Sequence, residues 1–234
     1  MSAPQLGIDP EDLGLDILPA IEKSFGISFD QNDFHKDFTY GELYALVLAK
    51  LPTATAADCT IQQAFYKLRQ ALMLLTGATK ISPSTRLDTL LPADPRPAAA
   101  HLAASLAIKL NLVAMPKWAE VAGSILLLSA TGLLPVVILA AVMGGETWGA
   151  PATLLLLSCF GLSVLIFTLG VQIGKRLAYE TVGELAIHMS SQHYRQSRRN
   201  PDTVNLREIS SQLERIFIDM AGLEAAELVP DAIL

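Results

Sequence analysis

The sequence predicts an all-α protein with two small helical units and a two-helix transmembrane hairpin. Three observations lead to this prediction. Two long runs carry no charged residue, and several other segments repeat apolar residues at helical spacing between glycines and prolines. No segment shows the convincing alternation of apolar and polar residues that marks a half-buried strand.

The two uncharged runs lie in residues 119–176. Val121 to Met143 and Ala152 to Ile173 contain no charged side chain, and GGETWGAP separates them. A helix of 22 residues spans about 33 Å at 1.5 Å per residue, enough for a hydrocarbon core of about 30 Å. The alternative is a pair of buried core helices, but soluble helices rarely stay uncharged over this length.

The flanks of the runs predict an orientation. Lys117 precedes the first run, Lys175 and Arg176 follow the second, and the turn holds only Glu146. The positive-inside rule therefore predicts that both chain ends are cytoplasmic. Trp118 and Trp148 are expected at the two membrane interfaces. A proline at position 135 predicts a kink, and Gly170 and Gly174 predict close packing within the hairpin.

Amphipathic helices are expected on both sides of the hairpin. Thr39 and Thr181 each precede a glutamate by three residues, as in a capping box. Gly26, Gly77 and Gly222 are expected as helix stops. The expected helices cover residues 10–24, 39–51, 60–77, 98–112, 181–194 and 204–222. Their apolar stripes include Leu43, Leu46, Val47 and Leu51; Phe65, Leu68, Leu72 and Leu75; and Ile209, Leu213, Ile216 and Phe217.

The net charge of −6 comes from the N-terminal segment. Nucleic acid is therefore an unfavourable partner. A protein with a basic surface is a plausible one, and a solvated acidic face without a partner is the alternative. The candidate partner-binding acids are Asp9, Glu11, Asp12 and Asp16.

An internal repeat links the two sides of the hairpin. Thr39–Tyr–Gly–Glu–Leu43 recurs as Thr181–Val–Gly–Glu–Leu185, and Leu68 to Gly77 recurs as Leu213 to Gly222. Pro83–Ser–Thr–Arg–Leu87 then matches Pro230–Asp–Ala–Ile–Leu234. The matches follow the same order, which indicates a duplicated unit.

These residues resemble the acyl carrier protein family, a small four-helix fold. Leu6–Gly–Ile–Asp9 is similar to the LGxD of its LGxDS motif, and residues 21–27 resemble the end of its second helix. TYGEL and TVGEL resemble the start of its last helix. The family's helix I leads to a Pro-x-x-x-Leu loop, which here ends the chain. The resemblance implies a permuted unit built from both chain ends, beside a middle unit that the hairpin interrupts.

The predicted domains follow from that arrangement. Residues 1–52 would supply helices II–IV of the permuted unit, and residues 203–234 its helix I. Residues 60–117 would supply helices I and II of the middle unit, with 179–195 as its last helix. Whether the permuted unit closes within one chain or between chains is left open; the second case would give a domain-swapped oligomer.

The resemblance does not imply a working carrier. The family attaches phosphopantetheine to a serine after LGxD, but Pro10 and Glu11 follow Asp9 here. Ser24 comes too late in its helix, and Ser82 and Ser84 precede the corresponding site of the middle unit. The degenerate carrier position is therefore Pro10–Glu11, and we expect no cofactor.

No motif predicts an enzyme or a metal site. His188 and His193 are five residues apart, a spacing that points to different helix faces, while His35 and His101 are isolated. Asp94 and Glu180 have no identifiable catalytic partner. The basic residues Lys175, Arg176, Arg195, Arg198 and Arg199 are candidates for lipid head-group contact, with an exposed charged loop as the alternative for the last three.

The sequence thus favours a membrane-anchored, non-enzymatic adaptor or assembly subunit of a bacterial inner membrane. The alternative is a component of lipid or cell-envelope metabolism that recognises or mimics an acyl carrier. Either function needs the membrane and a protein partner, or self-association through the chain ends.

Overall fold

A computed structural model describes residues 4–143 and 146–234. It leaves out the side chains of residues 130, 133, 136–143, 146–152, 155 and 171. The expected turn residues Gly144 and Gly145 therefore lie outside the described residues, and the expected interfacial Trp148 lies outside the described side chains. The helices are α1 (Pro10–Asp12), a π-helical turn (Leu13–Ile17), α2 (Leu18–Phe25), a 3-10 turn (Gln31–Asp33), α3 (Tyr40–Lys50), α4 (Thr60–Thr76), α5 (Leu87–Leu90), α6 (Arg96–Leu106), α7 (Lys117–Met143), α8 (Glu146–Ile173), α9 (Val182–Gln192), α10 (Tyr194–Ser197) and α11 (Leu206–Ala221).

The predominantly helical prediction is confirmed, and strands form one small exception. Val113–Ala114 (β1) pairs antiparallel with Arg176–Leu177 (β2). The apolar and polar alternation of a strand cannot be recognised over two residues, which is why the sequence showed none. The helix α8 also begins at Glu146, so it includes most of the segment expected as a turn.

The chain divides into two compact units. Unit 1 comprises Met1–Leu90, His101–Leu110 and Tyr179–Leu234, and unit 2 comprises Leu91–Ala100 and Asn111–Ala178. Within the described part of the chain, none of the helices meets the length and hydropathy required to cross a membrane.

Unit 2 is dominated by the packing of α7 against α8. Small residues allow this close approach: a Cβ on Gly170 would meet the Ala119 side chain at 2.7 Å, and one on Gly123 would meet the Phe167 ring at 2.8 Å. The buried Ser163 hydroxyl donates to the Gly123 carbonyl oxygen (2.9 Å). The Gly170 contact therefore lies inside the hairpin.

Arg96 ties the C-terminal end of α8 to the segment before α6. Its guanidinium donates to the Gln172 carbonyl oxygen and to the Asp94 carboxylate, the latter at 2.7 Å. The hydrogen bond from Arg96 is the main reason that the pKa of Asp94 falls to about 2. One arginine thus satisfies a carbonyl that the last turn of a helix leaves unpaired.

In unit 1, both ends of the chain meet. The C-terminal residues lie between two N-terminal segments: Ile233 pairs parallel with Gln5 and antiparallel with Thr39. The Ile233 amide donates to the Pro4 carbonyl (2.8 Å), and the Leu6 amide donates to the Ile233 carbonyl (3.0 Å). The two ends therefore close within one chain.

One apolar cluster underlies this junction. Its buried side chains come from both ends of the chain: Ile17, Ile21, Phe25, Tyr40, Leu43, Val47, Leu51, Tyr194, Val204, Ile209, Leu213, Ile216, Phe217 and Leu228. The predicted α11 stripe of Ile209, Leu213, Ile216 and Phe217 is entirely buried. The rings of Tyr40 and Phe217 meet edge to face, with their centroids 5.4 Å apart.

The α4 stripe was predicted less accurately. Leu68 and Leu72 are buried as expected, but Leu75 is 36 % exposed and Ala64 and Ala71 complete the buried face. Small alanines fit because α4 packs closely against α9. The prediction counted only large apolar residues, so it included the exposed Leu75 and missed the two buried alanines.

The internal repeat forms matching contacts in space. The Gly41 amide donates to the Pro230 carbonyl (2.9 Å), and the Gly183 amide donates to the Pro83 carbonyl (2.8 Å). Each glycine follows a capping-box threonine, Thr39 or Thr181. In both copies, a Pro-x-x-x-Leu segment is thus held against the start of a T-x-G-E-L helix.

We predict that Gly41→Ala destabilises this junction. A Cβ at Gly41 would lie 2.8 Å from the Pro230 carbonyl oxygen, too close without a backbone shift. Such overpacking costs about 1–3 kcal/mol, so the melting temperature of the purified chain should fall. Gly14→Ala is the matched control, because a Cβ there meets nothing within 4 Å. Equal melting temperatures for the two variants would contradict the contact.

We also predict that Phe217→Ala loosens the N-terminal segment. Phe217 is fully buried in the cluster shared by both chain ends, and truncating such a ring costs about 3–5 kcal/mol. Limited proteolysis should then cleave residues 1–52 faster. Met220→Ala on the same helix is the control, since Met220 is 41 % exposed. Unchanged cleavage of Phe217→Ala would show that α11 does not hold the N-terminal segment.

Candidate docking site

The start of the first helix is an exposed acidic surface. Asp9 caps α1 by accepting a hydrogen bond from the Glu11 amide (2.8 Å), and Pro10 occupies the first helical turn. Glu11 and Asp12 follow in the same turn, where the helix dipole favours negative charge. All four predicted acids, Asp9, Glu11, Asp12 and Asp16, are exposed.

A π-helical turn shapes this surface. Helix α1 continues through the π turn Leu13–Ile17 into α2, just before Pro19. Proline has no amide hydrogen and disturbs the helix one turn before it, so a locally widened turn is a physical consequence of Pro19. Pro19 therefore changes the helix type and does not end the helical segment. Leu15, within the π turn, is 73 % exposed between Asp12 and Asp16 in sequence.

The acids and Leu15 together can bind a partner surface that is positively charged around an apolar patch. Asp12 and Asp16 provide negative charge, and Leu15 provides an apolar contact that water does not favour. A single exposed leucine is common on protein surfaces. Leu15 is notable because acidic residues surround it at the start of a helix. We call this surface the candidate docking face; it consists of Asp9, Glu11, Asp12, Leu15 and Asp16.

Ser24 is not accessible at the surface. It is fully buried, its hydroxyl donates to the Ser191 carbonyl, and it accepts a hydrogen bond from the Tyr194 amide (3.3 Å). Ser24 therefore joins α2 to the segment around α9 and α10. Ser82 and Ser84 are exposed in the loop that contacts α9.

The five predicted basic residues do not share one environment. Lys175 and Arg176 are exposed in unit 2, whereas Arg195, Arg198 and Arg199 belong to unit 1. Arg195 is partly exposed and pairs with Asp202 (3.0 Å). Arg199 is exposed. Lipid head-group contact remains a prediction for Lys175, Arg176, Arg195 and Arg199.

Arg198 is a correction to the sequence prediction, because only 1 % of it is exposed. Its Nη1 donates to the Thr60 hydroxyl (2.7 Å), and its Nη2 donates to the Ala56 carbonyl (3.1 Å). Glu208 lies 3.9 Å from the guanidinium and accepts a hydrogen bond from the Thr60 hydroxyl (2.6 Å). Arg198 is thus committed to internal hydrogen bonds that join α4 to α11. Three charged residues in a polar loop carry no sequence signal that one of them is buried.

The histidines are separated as their spacing predicts. His193 is buried, and its Nε2 lies 3.2 Å from the Lys109 carbonyl oxygen. Burial lowers the pKa of His193, with Lys23 adding to the effect. His188 instead lies in a cleft of about 490 Å³ between α9 and α11. Among the described residues, no three histidine, cysteine or carboxylate side chains are grouped so that they could hold a metal ion.

Comparison with known proteins identified no relative of this chain. The chain matches no protein family, no curated protein and no solved structure. The fold and the candidate docking face therefore rest on the residues and contacts of this chain.

We predict that the intact chain carries no phosphopantetheine. The sequence resemblance predicts the carrier site at the start of α1, where Pro10 and Glu11 lie, and neither residue offers a hydroxyl. Intact mass after co-expression with a promiscuous phosphopantetheinyl transferase should equal the mass of the unmodified chain. A known carrier protein in the same cells is the positive control, and a stoichiometric adduct on this chain would contradict the prediction.

Proposed function

We propose that this protein is a membrane-anchored, non-enzymatic adaptor or assembly subunit of a bacterial inner membrane. The observation that carries the proposal is the outward face of the hairpin. On α7, large apolar side chains such as Val121, Ile125 and Leu128 are more than half exposed. On α8, the same is true of Leu154, Leu157 and Phe160.

Water is an unfavourable environment for this surface. A helix that is apolar all round belongs in a protein core or in a lipid bilayer. In unit 2, α7 and α8 each cover one side of the other helix and leave its remaining sides exposed. We propose that a bilayer surrounds those exposed sides. The sequence runs Val121–Met143 and Ala152–Ile173 extend through residues that are not fully described, and they supply the length for a span.

The proposed orientation places both chain ends in the cytoplasm. Lys117, Lys175 and Arg176 flank the hairpin, and all three are exposed. Positive residues near membrane helices remain on the cytoplasmic side.

Reporter fusions test this orientation. We expect fusions at residues 1 and 234 to report the cytoplasm, and a fusion at residue 147 to report the opposite side. Replacing Lys175 and Arg176 with glutamine in the same fusions should weaken the bias, because the positive charges set it. A cytoplasmic signal from all three fusions would contradict a membrane-spanning hairpin.

The adaptor role is assigned to the candidate docking face. Complementary charge speeds association and selects partners, so this face suits a protein that presents lysines and arginines around an apolar contact. We expect Asp12→Lys with Asp16→Lys to abolish capture of such a partner from solubilised membranes. Glu224→Lys with Asp231→Lys is the control, since both acids are exposed outside the face. Equal capture by both double variants would contradict the assignment.

A second candidate function is recognition or mimicry of an acyl carrier at the membrane, in lipid or cell-envelope metabolism. The paired contacts of Gly41 with Pro230 and of Gly183 with Pro83 favour it, because they join the repeated motifs that resemble the carrier family. Fatty-acid or envelope enzymes among the captured partners would favour this function over the first. Pro10→Ser supplies a sharper test: modification of this variant by the transferase would show that the unit is recognised as a carrier.

A further inference from the structure

A cleft of about 490 Å³ in unit 1 is lined by polar faces of two helices. Helix α9 contributes four residues at the spacing of one helix face: Glu184, Ile187, His188 and Ser191. Helix α11 contributes five in the same way: Ser211, Glu214, Arg215, Ile218 and Asp219. Faces turned toward a neighbouring helix are usually apolar, so these polar faces need an explanation beyond packing.

Several polar groups of this cleft are without partners. Among the described residues, no hydrogen bond or ion pair engages the Tyr179 hydroxyl, the ring nitrogens of His188 or the Asp219 carboxylate. Arg215 is also unpaired, and its Nη1 is buried without a hydrogen-bond partner. Within this set Arg215 Nη1 is the buried atom, whereas Tyr179 and His188 are half-buried and Asp219 is exposed. The last three residues line the cavity with acceptor atoms that a ligand can reach.

The charge of the cleft is negative. Three carboxylates, Glu184, Glu214 and Asp219, face one guanidinium, which leaves a formal charge of −2. Burial raises the pKa of Tyr179 to about 12, with Asp219 adding to the shift. Burial also lowers the pKa of His188, assisted by Lys23 and opposed by Asp219. Both rings are therefore uncharged at neutral pH, and the net charge of the cleft is set by the three carboxylates and the Arg215 guanidinium.

The carboxylates differ in their availability. Glu184 accepts a hydrogen bond from the Glu180 amide (2.8 Å), and Glu214 accepts one from the Ser210 hydroxyl (2.8 Å). Asp219 is exposed and has neither kind of bond. Both of its oxygens are therefore open to a ligand, whereas one oxygen of each glutamate is already engaged.

The remaining walls suit a cation on an aliphatic chain. The ring centroids of Tyr179 and His188 lie 4.8 Å apart, and the Tyr179 ring is the one that can attract a cation through its π face. Ile187 and Ile218 are each more than a third exposed, so they can cover methylene groups.

We propose that this cleft binds a primary alkylammonium group, with its head at Asp219 and its aliphatic chain along Ile187 and Ile218. Two sources share this chemistry: a free aliphatic diamine and the lysine side chain of a partner protein. The site lies outside the candidate docking face, so it does not depend on the proposed adaptor function.

Calorimetric titration of the full chain in detergent tests the proposal with three probes. Cadaverine represents a free diamine, a lysine capped at both ends represents a protein side chain, and pentanol is an uncharged control. We expect an amine to bind and pentanol not to bind. Tighter binding of cadaverine would identify the free diamine as the source, and tighter binding of the capped lysine would identify the side chain.

Substitutions locate the site. Asp219→Asn should weaken the binding of the amine by about tenfold or more, because it removes a charged hydrogen-bond acceptor. Glu224→Gln changes the net charge equally but lies outside both the cleft and the candidate docking face, and it should change binding by less than about twofold, since distant charges are screened. Because Asp219 is exposed, the melting temperature of its variant should equal that of the unmodified chain.

Three results would overturn the proposal. The first is that neither amine binds, and the second is that pentanol binds as tightly as the amines. The third is that Glu224→Gln weakens binding as much as Asp219→Asn. The last result would assign the binding to the net charge of the chain. None of these results bears on capture of a partner through Asp12 and Asp16, so the two proposals fail separately.

Discussion

The fold of unit 1 depends on burial of one face of α11 by residues from the other end of the chain. Ile209, Leu213, Ile216 and Phe217 are fully buried, and the side chains around them include Ile17, Ile21 and Leu43. Each such side chain contributes about 1.5–3 kcal/mol when it leaves water. That sum is comparable with the whole stability of a small domain, so we expect neither end to keep its structure without the other.

Polar contacts then give this apolar association a defined geometry. The C-terminal residues pair with Gln5 on one side and with Thr39 on the other, and Gly41 permits the close approach of Pro230. Arg198, Thr60 and Glu208 connect α4 with α11 in the same unit. A buried guanidinium is costly unless its hydrogen bonds are satisfied, and here most of its donors find carbonyl or hydroxyl oxygens. Hydrophobic burial therefore brings the ends together, and hydrogen bonds select one register.

Much of this arrangement could be predicted from local patterns. Capping boxes at Thr39 and Thr181 and left-handed glycines at 26, 77 and 222 are decided by residues within one helical turn, so the sequence located these helix ends well. The helix expected over residues 98–112 instead ends at Leu106. The α11 stripe was equally clear. Long-range features were harder. The burial of Arg198 and the unpaired groups of the α9–α11 cleft depend on which helices become neighbours, and β1 and β2 are too short to leave a pattern.

In the proposed function, the hairpin determines where these surfaces act. Its outward apolar side chains and basic flanks support a bilayer anchor, and the candidate docking face would then be displayed at the cytoplasmic surface. Alkaline carbonate extraction of cell membranes is the most direct test of this central claim. The full chain should stay in the membrane pellet, whereas a variant lacking residues 119–176 should be found in the supernatant. Release of the full chain by carbonate would contradict the membrane anchor and the function proposed from it.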